Sequence, residues 1–280
     1  MFDQPPIFEG WCSHGGDPGG LWKDCTMTRR RILITGATGG IGKLLAQRLR
    51  GDYDLVLQGR HPDDDDPDDL VLADLTNYDD TLKLMDGVDT VVHMAGSASP
   101  DSTWDDVLQA NIIGFRNALE AAREAGVRRF VFASSNHAMG MYDRHGEWPV
   151  HPHTLPRGDS LYGVSKIFGE ALGRFYHDEY GIDFIALRIG WSSPDTHETD
   201  LDLLRAMWLS PDDTEQVVRR AIEAETRFGL YYAISDNPNR RWDMTNTMLE
   251  LGYRPKDSWT DHSDAEENTA EPTPQSWPKG

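Results

Sequence analysis

RILITGATGGIGKLLAQRLR, residues 31–50, decides the fold. Arg31–Thr35 is a short β-branched run that reads as a strand, and a helix reads at about 41–50. Between them lies Thr35-Gly36-Ala37-Thr38-Gly39-Gly40-Ile41-Gly42, with Gly36, Gly39 and Gly42 spaced as Gly-x-x-Gly-x-x-Gly. Glycine is required where a chain turns tightly and where a pyrophosphate comes close to backbone N–H groups at a helix N-terminus. The triplet alone is weak evidence. Its strand before and helix after are the context that a dinucleotide-binding turn demands.

Working outward, strands read at 31–35, 54–58, 70–73, 89–94, 129–134 and 183–189. Helices read between them at about 41–50, 78–86, 104–125 and 161–180. Short strands alternating with longer helices give an α/β fold, a Rossmann-like doubly wound parallel sheet with helices on both faces. Ligands of such sheets bind outside the carboxyl ends of the strands. Residues 29–190 are the expected dinucleotide-binding domain, and 191–258 a small substrate-binding part of the same domain.

At the cofactor end, Gly36, Thr38, Gly39, Gly40, Ile41 and Gly42 are the expected contacts from the turn. The second strand of an NAD binder ends in an acid, about 20 residues on, that holds the ribose 2′-hydroxyl. Gln58-Gly59-Arg60 stands there instead, and Arg60 could accept the 2′-phosphate of NADP. Asp63–Asp66 would oppose that phosphate unless they face solvent. NAD and NADP both stay open, with Arg60 tipping the expectation toward NADP. Asp74 and Leu75 follow the third strand, where Asp74 either meets the adenine amino group or caps a helix. Ala95 and Gly96, after the fourth strand, leave room for the nicotinamide ribose, and Ile189 ends the sixth.

At the chemical end, Tyr162-Gly163-Val164-Ser165-Lys166 opens a long helix and sets Tyr162 and Lys166 on one face. A phenol with its ordinary pKa of ~10 is a poor base at neutral pH, but an ammonium beside it favours the phenolate. Such a pair can take the proton of a hydroxyl that is being oxidised. The strand Phe130–Ala133 runs into Ser134-Ser135-Asn136-His137, four polar residues at a strand end. Several fixed donors and acceptors within one small pocket are what a polyol needs.

Gly36, Gly39, Gly42, Asp74, Asn111, Ser135, Tyr162 and Lys166 together resemble the short-chain dehydrogenase/reductase superfamily in its extended branch, over roughly residues 30–258. The resemblance implies Tyr162 as acid/base, with Lys166 lowering its pKa and binding the nicotinamide ribose. It also implies Ser135 at the reacting oxygen and Asn111 holding a water that relays the proton. Asn111 has a plainer alternative, a buried helix asparagine satisfied by backbone. "FASSNHA", "LYGVSK", "RIG", "MWLSPDD" and "LGYRPKD" further resemble uronate dehydrogenases and haloarchaeal sugar dehydrogenases, including NAD-dependent glucose-6-phosphate dehydrogenases. That narrower likeness implies Ser135, Asn136 and His137 on the sugar; Ser134 is expected to face the sheet, and Ser97, Tyr162 and Arg205 are further candidate substrate contacts. His137 could equally be a structural histidine.

Two positions depart from the uronate pattern. Trp191 stands where a small serine follows "RIG", and Leu203 stands where the carboxylate-binding arginine is expected. Arg205, two residues on, points about 200° away on a helix. The departures disfavour a uronate and favour a neutral aldose or a sugar phosphate. Arg144, His145, His151, His153 and Arg157 could surround a phosphate or form a solvated loop. No metal site is expected.

The expected activity is therefore an NAD(P)-dependent sugar 1-dehydrogenase that oxidises the C1 hydroxyl of a cyclic aldose to a lactone. The alternatives are a sugar-nucleotide epimerase or dehydratase, and a dinucleotide-binding sensor without turnover.

With 27 basic against 47 acidic residues the net charge is −20, which opposes nucleic acid and anionic membranes and suits adaptation to high salt. Two cysteines, Cys12 and Cys25, give no disulfide framework. No run is apolar enough to span a bilayer and no signal segment is seen, so a soluble, cytoplasmic protein is expected. Residues 1–28 read as a disordered leader, with Met27 an alternative start, and 259–280 as a disordered acidic tail. Helices 104–125 and 161–180 would suit a homodimer.

Overall fold

In the computed structural model, residues 29–61, 67, 69–193 and 201–262 are described. The expected leader, Asp63–Asp66 and residues 263–280 of the expected tail lie outside them. The tail was expected from 259, yet Trp259–His262 form a 3-10 turn, with the Trp259 side chain buried and the backbone N–H of Trp259 donated to Asn237 Oδ1 at 3.1 Å.

β1 (Arg31–Thr35) pairs in parallel with β2 (Asp54–Gly59) on one side and β4 (Thr90–His93) on the other. β3 (Leu70–Leu72) extends the sheet past β2, while β5 (Arg129–Ser135), β6 (Asp183–Ile189) and β9 (Phe228–Ala233) extend it past β4. The order is β3-β2-β1-β4-β5-β6-β9, all parallel. Every residue of β4 and β6 is buried, as expected for parallel strands covered on both faces.

The β1 side chains alternate between two cores. Ile32 and Ile34 join the core built with α1 (Gly40–Leu49) and α8 (Pro211–Glu223). Leu33 joins the one built with α2 (Tyr78–Leu84), α4 (Phe115–Glu124) and α6 (Leu161–Tyr180). Helices on both faces make the sheet doubly wound, as expected, and its switch point lies between β1 and β4.

The helix expected at 104–125 is not uniform. It runs from α3 (Trp104–Asp106) through a π-helical stretch, Val107–Gly114, into α4. A Thr103–Asp106 capping box starts it. The wider π turn falls on Asn111.

Two regions set the site. α6 lies close to the sheet because Gly169 and Gly173 face Phe132 and Phe184, where a Cβ would approach ring carbons to 2.4 and 2.1 Å. A buried bidentate pair, Arg188 with Glu170, ties α6 to β6 with two bonds of 2.8 Å. Farther along, α5 (Gly140–His145) precedes α6, and a two-stranded ribbon joins β7 (Trp191–Ser192) to β8 (Trp208–Leu209) across α7 (Asp202–Ala206). α9 (Thr245–Glu250) packs against β9.

Candidate active site

The turn after β1 is made by backbone. Gly36 takes φ +67°, and a Cβ there would sit 2.7 Å from Ala95 N. A Cβ on Gly42 would come within 2.1 Å of Gly36 O. Only glycine lets the strand, the turn and the end of β4 approach this closely. Gln58, where an acid was sought, is buried, and its amide braces the turn: Oε1 accepts from Gly36 N at 3.1 Å and Nε2 donates to Ala73 O at 2.7 Å.

Two adjoining cavities of about 500 and 510 Å³ flank this turn and share Gly36, Gly39, Met94 and Gly96. The second is lined by Thr38, Arg60, Asp74, Leu75, Ala95 and Ser97. Asp74 closes an Asx turn, accepting from Thr76 N and Oγ1 at 2.9 Å, and these bonds hold it below its ordinary pKa. The α2 N-cap is Asn77, not Asp74, so the capping alternative is set aside.

The first cavity gathers the chemical residues. Ser135, Asn136, His137, Tyr162, Lys166 and Ile189 line it beside Gly36, Gly39, Gly40, Ile41 and Gly42. Ser135 caps the 3-10 turn Asn136–Met139, accepting from His137 N at 3.2 Å. Ser134 also borders the cavity and donates to the buried Glu170 Oε1 of α6 at 2.6 Å. Asn136 Nδ2 reaches Met207 Sδ at 3.2 Å, and His137 Nδ1 meets the Asp159 carboxylate at 2.8 and 3.1 Å.

Tyr162 and Lys166 share the inner face of α6, which is started by Ser160 Oγ accepting from Gly163 N at 3.0 Å. Both are buried. Burial raises the phenol above its ordinary pKa, opposed by its hydrogen bond with Ser135. The expected lowering by Lys166 is not what dominates. Lys166 Nζ lies 5.5 Å from the Tyr162 ring centroid, donates to Ala133 O at 2.7 Å and sits 4.9 Å over Phe132. Its own burial lowers it to about 8.

Asn111 is satisfied locally. Its Nδ2 donates to Ser97 O at 2.9 Å and Ser165 Oγ at 2.8 Å, and its Oδ1 accepts from Ser97 N at 2.7 Å. Ser97 therefore lines the second cavity, held there by Asn111, and is not among the residues lining the first. Arg205 lines neither cavity; its guanidinium stacks 5.1 Å over Trp259. Leu203 is buried in the core, while Leu204, Met207 and Trp191 form the apolar wall of the first cavity. Among the described residues no group of three or more His, Cys, Asp or Glu could hold a metal.

The bracing role of Gln58, the contact of Met207 with Asn136 and the pairing of Asp159 with His137 were not legible in the sequence. Asp159 stands three residues before Tyr162, in a loop without periodicity, and Met207 is the C-cap of a helix of only five residues, Asp202–Ala206.

The family of NAD dependent epimerases and dehydratases matches residues 32–200, more than half of the chain. The chain belongs to that family. Within reach of it, L-arabinose 1-dehydrogenase (NAD(P)(+)) of Haloferax volcanii is 40% identical over 250 residues, 81% of this chain and 97% of the relative. The NAD-dependent glucose-6-phosphate dehydrogenase of the same organism is 36% identical, over 81% of this chain and 93% of the relative. The solved structure of glucuronic acid dehydrogenase from Chromohalobacter salexigens is 34% identical, with a TM-score of 0.77 over 88% of this chain and 92% of that one. The extended short-chain branch expected from the motifs is thus the one in which these family members fall.

Proposed function

We propose that the chain is an NAD(P)-dependent sugar 1-dehydrogenase and that its substrate is a neutral cyclic aldose. The observation that carries the reading is the convergence of Ser135, Asn136, His137, Tyr162 and Lys166 on the cavity that the glycine turn opens. The full-length likeness to sugar dehydrogenases supports it, and the epimerase alternative is less supported.

The cleft fits a dinucleotide: two cavities of about 500 and 510 Å³ meet over a glycine turn in which Gly36 and Gly42 have no space for a Cβ. Gly36, Gly39 and Gly42 would bear the pyrophosphate, Arg60 and Asp74 the adenosine half, and Lys166 the nicotinamide ribose. When bound, the nicotinamide supplies the acceptor for the hydride from C1. Ser135 holds the C1 hydroxyl, and Tyr162 takes its proton as the C1–O bond becomes a carbonyl and the lactone forms. A bound cation next to the phenol is what would bring its raised pKa down. Asn111 is read as a positioning residue for Ser97 and Ser165 rather than as a direct relay, because its amide atoms already bond to them.

For the substrate, Lys166 is the only Lys or Arg among the described residues lining the chemical half. His151 pairs with Asp243 and Arg157 with Glu147, both away from the cleft, so neither supports a phosphate site. Trp191, Leu204 and Met207 offer an apolar wall to the C–H face of a sugar instead. Arg60, with Gln58 in place of an acid, supports acceptance of NADP beside NAD.

The test is the initial rate of reduced-nicotinamide formation in high potassium chloride, with NAD and NADP separately. Arabinose, xylose, glucose, galactose, glucose 6-phosphate, glucuronate and galacturonate form the panel. A neutral sugar is expected to lead, and Tyr162→Phe to lose on the order of 10²–10⁴ in kcat. A uronate or a sugar phosphate in the lead would overturn the substrate class; silence across the panel with cofactor bound would overturn the activity.

A further inference from the structure

His137 is held by more than its place at a strand end. Its Nδ1 lies 2.8 and 3.1 Å from the two oxygens of Asp159, whose side chain is only 1% exposed. Asp159 also accepts from Ser160 Oγ at 2.9 Å, and its N–H donates to His137 O at 3.3 Å. Ser160 is the N-cap of the helix that carries Tyr162, and the His137 and Tyr162 rings meet edge to face at 5.7 Å. The surroundings are built for this contact. A Cβ on Gly140 would come within 2.1 Å of Asp159 Oδ2, and one on Gly163 within 2.3 Å of His137 O.

A buried carboxylate only accepts hydrogen bonds, so the imidazole nitrogen facing it must carry a proton. In a neutral ring the other nitrogen is then an acceptor. Any bond that His137 makes toward the cleft it lines therefore goes through Nε2.

We propose that Asp159 is a positioning residue: its buried carboxylate fixes His137 as the Nδ1–H tautomer and presents Nε2 to the cleft as the acceptor for one substrate hydroxyl. The same carboxylate, through Ser160, keeps that acceptor in register with the Tyr162 phenol. The proposal rests on the cleft being a sugar site. A ring free to exchange tautomers would present a donor part of the time, and would match a different hydroxyl orientation.

The experiment pairs kinetics with the nitrogen spectrum of the histidines. Wild type, Asp159→Ala, Asp159→Asn, His137→Ala and the double variant Asp159→Ala/His137→Ala are compared with saturating cofactor, after thermal melts confirm that each folds. In ¹⁵N-histidine-labelled protein, His137 should be the Nδ1–H tautomer in wild type and a mixture in Asp159→Ala. Sugar KM should rise roughly tenfold in Asp159→Ala, the loss of about one hydrogen bond, with kcat changed by less than about threefold. The double variant should be no worse than His137→Ala, because the two act as one unit. Asp159→Asn, which keeps an acceptor of the same shape, should recover part of the KM. An unchanged tautomer in Asp159→Ala, or additive KM effects, would overturn the proposal. If wild type oxidises no sugar but the tautomer still depends on Asp159, the sugar reading fails while the pairing stands.

Discussion

Around the glycine turn the cleft is walled by main chain: Gly36 and Gly42 leave no room for a Cβ, and Gln58 braces the turn through Gly36 N. Across the cleft it is walled by side chains drawn from the end of β5, the start of α6, β7 and α7. The first wall is built on seven consecutive residues, Gly36–Gly42, whereas the second needs residues from Ser135 to Met207. A pyrophosphate has one shape, so backbone N–H groups suffice to hold it. A sugar differs from its neighbours by the direction of single hydroxyls, and only side chains can be exchanged one at a time to read that.

Substitution on each wall should separate the two roles, and the largest effect belongs to the glycines. In Gly42→Ala the new Cβ meets Gly36 O, with Ala37 Cα at 2.8 Å, and nothing there is the end of a flexible side chain. The turn must open, at an overpacking cost of about 1–3 kcal/mol, and cofactor Kd should rise roughly 10- to 100-fold. Trp191→Ala on the opposite wall should leave cofactor Kd within about twofold and raise sugar KM about tenfold, since one apolar contact face is lost. Titration of tryptophan fluorescence with NAD, beside steady-state KM, reads both. Equal effects on cofactor and sugar from either variant would mean that the walls are not separate.

Legibility in the sequence follows the same division. The order from β1 to β6 could be read because parallel strands buried on both faces are short continuous apolar runs, with helices between them. β9 (FGLYYA) lay beyond the last strand identified, in a stretch taken only as a substrate-binding part, yet it pairs with β6 along its whole length. α8 carried a Ser210 cap and Pro211 at its first position, signals that became decisive only once its buried face was seen against α1. Tyr162, Lys166 and Ser135 were legible as a spacing and a strand end. Asp159 was not, because a loop carboxylate acquires a meaning only from the histidine that folding brings against it. Arg205 was misplaced for the converse reason: near in sequence to the expected position, it stacks on Trp259, a residue assigned to the tail.

A smaller effect sharpens the comparison within the cofactor half, where one side chain does matter. Arg60 lies at the rim of the second cavity near Asp74, whose pKa it helps to lower. In Arg60→Ala the KM for NADP should rise about tenfold, the loss of one charge-assisted bond, and the KM for NAD should stay within about twofold. A parallel loss for both cofactors would assign Arg60 to the loop's structure and leave NADP without its expected partner.

The side-chain wall also has a stability cost that the backbone wall lacks. Behind His137 and Asp159, the Oδ2 of Asp143, the hydroxyl of Tyr232, Nε of Arg241 and Nε1 of Trp242 are buried with no hydrogen-bond partner among the described residues. Among the described residues before Arg129 there is no such side-chain atom. Burial pushes Asp143 up to about 7; the Trp148 indole N–H at 2.9 Å, Arg241 and His137 oppose the rise, while Asp159 adds to it. Because the folded-state pKa lies above the unfolded one, the native protein holds the extra proton between roughly pH 4 and 7. Stability therefore falls as pH rises through that window, and the penalty is complete above it. Asp143→Asn keeps an acceptor for Trp148 and never ionises. Its gain over wild type should be about 1–2 kcal/mol larger at pH 8 than at pH 5, as read by denaturant midpoints at the two values. A gain that is the same at both pH values would show that Asp143 stays ionised in the fold, paired with Arg241, and that this wall carries its buried charge without a proton.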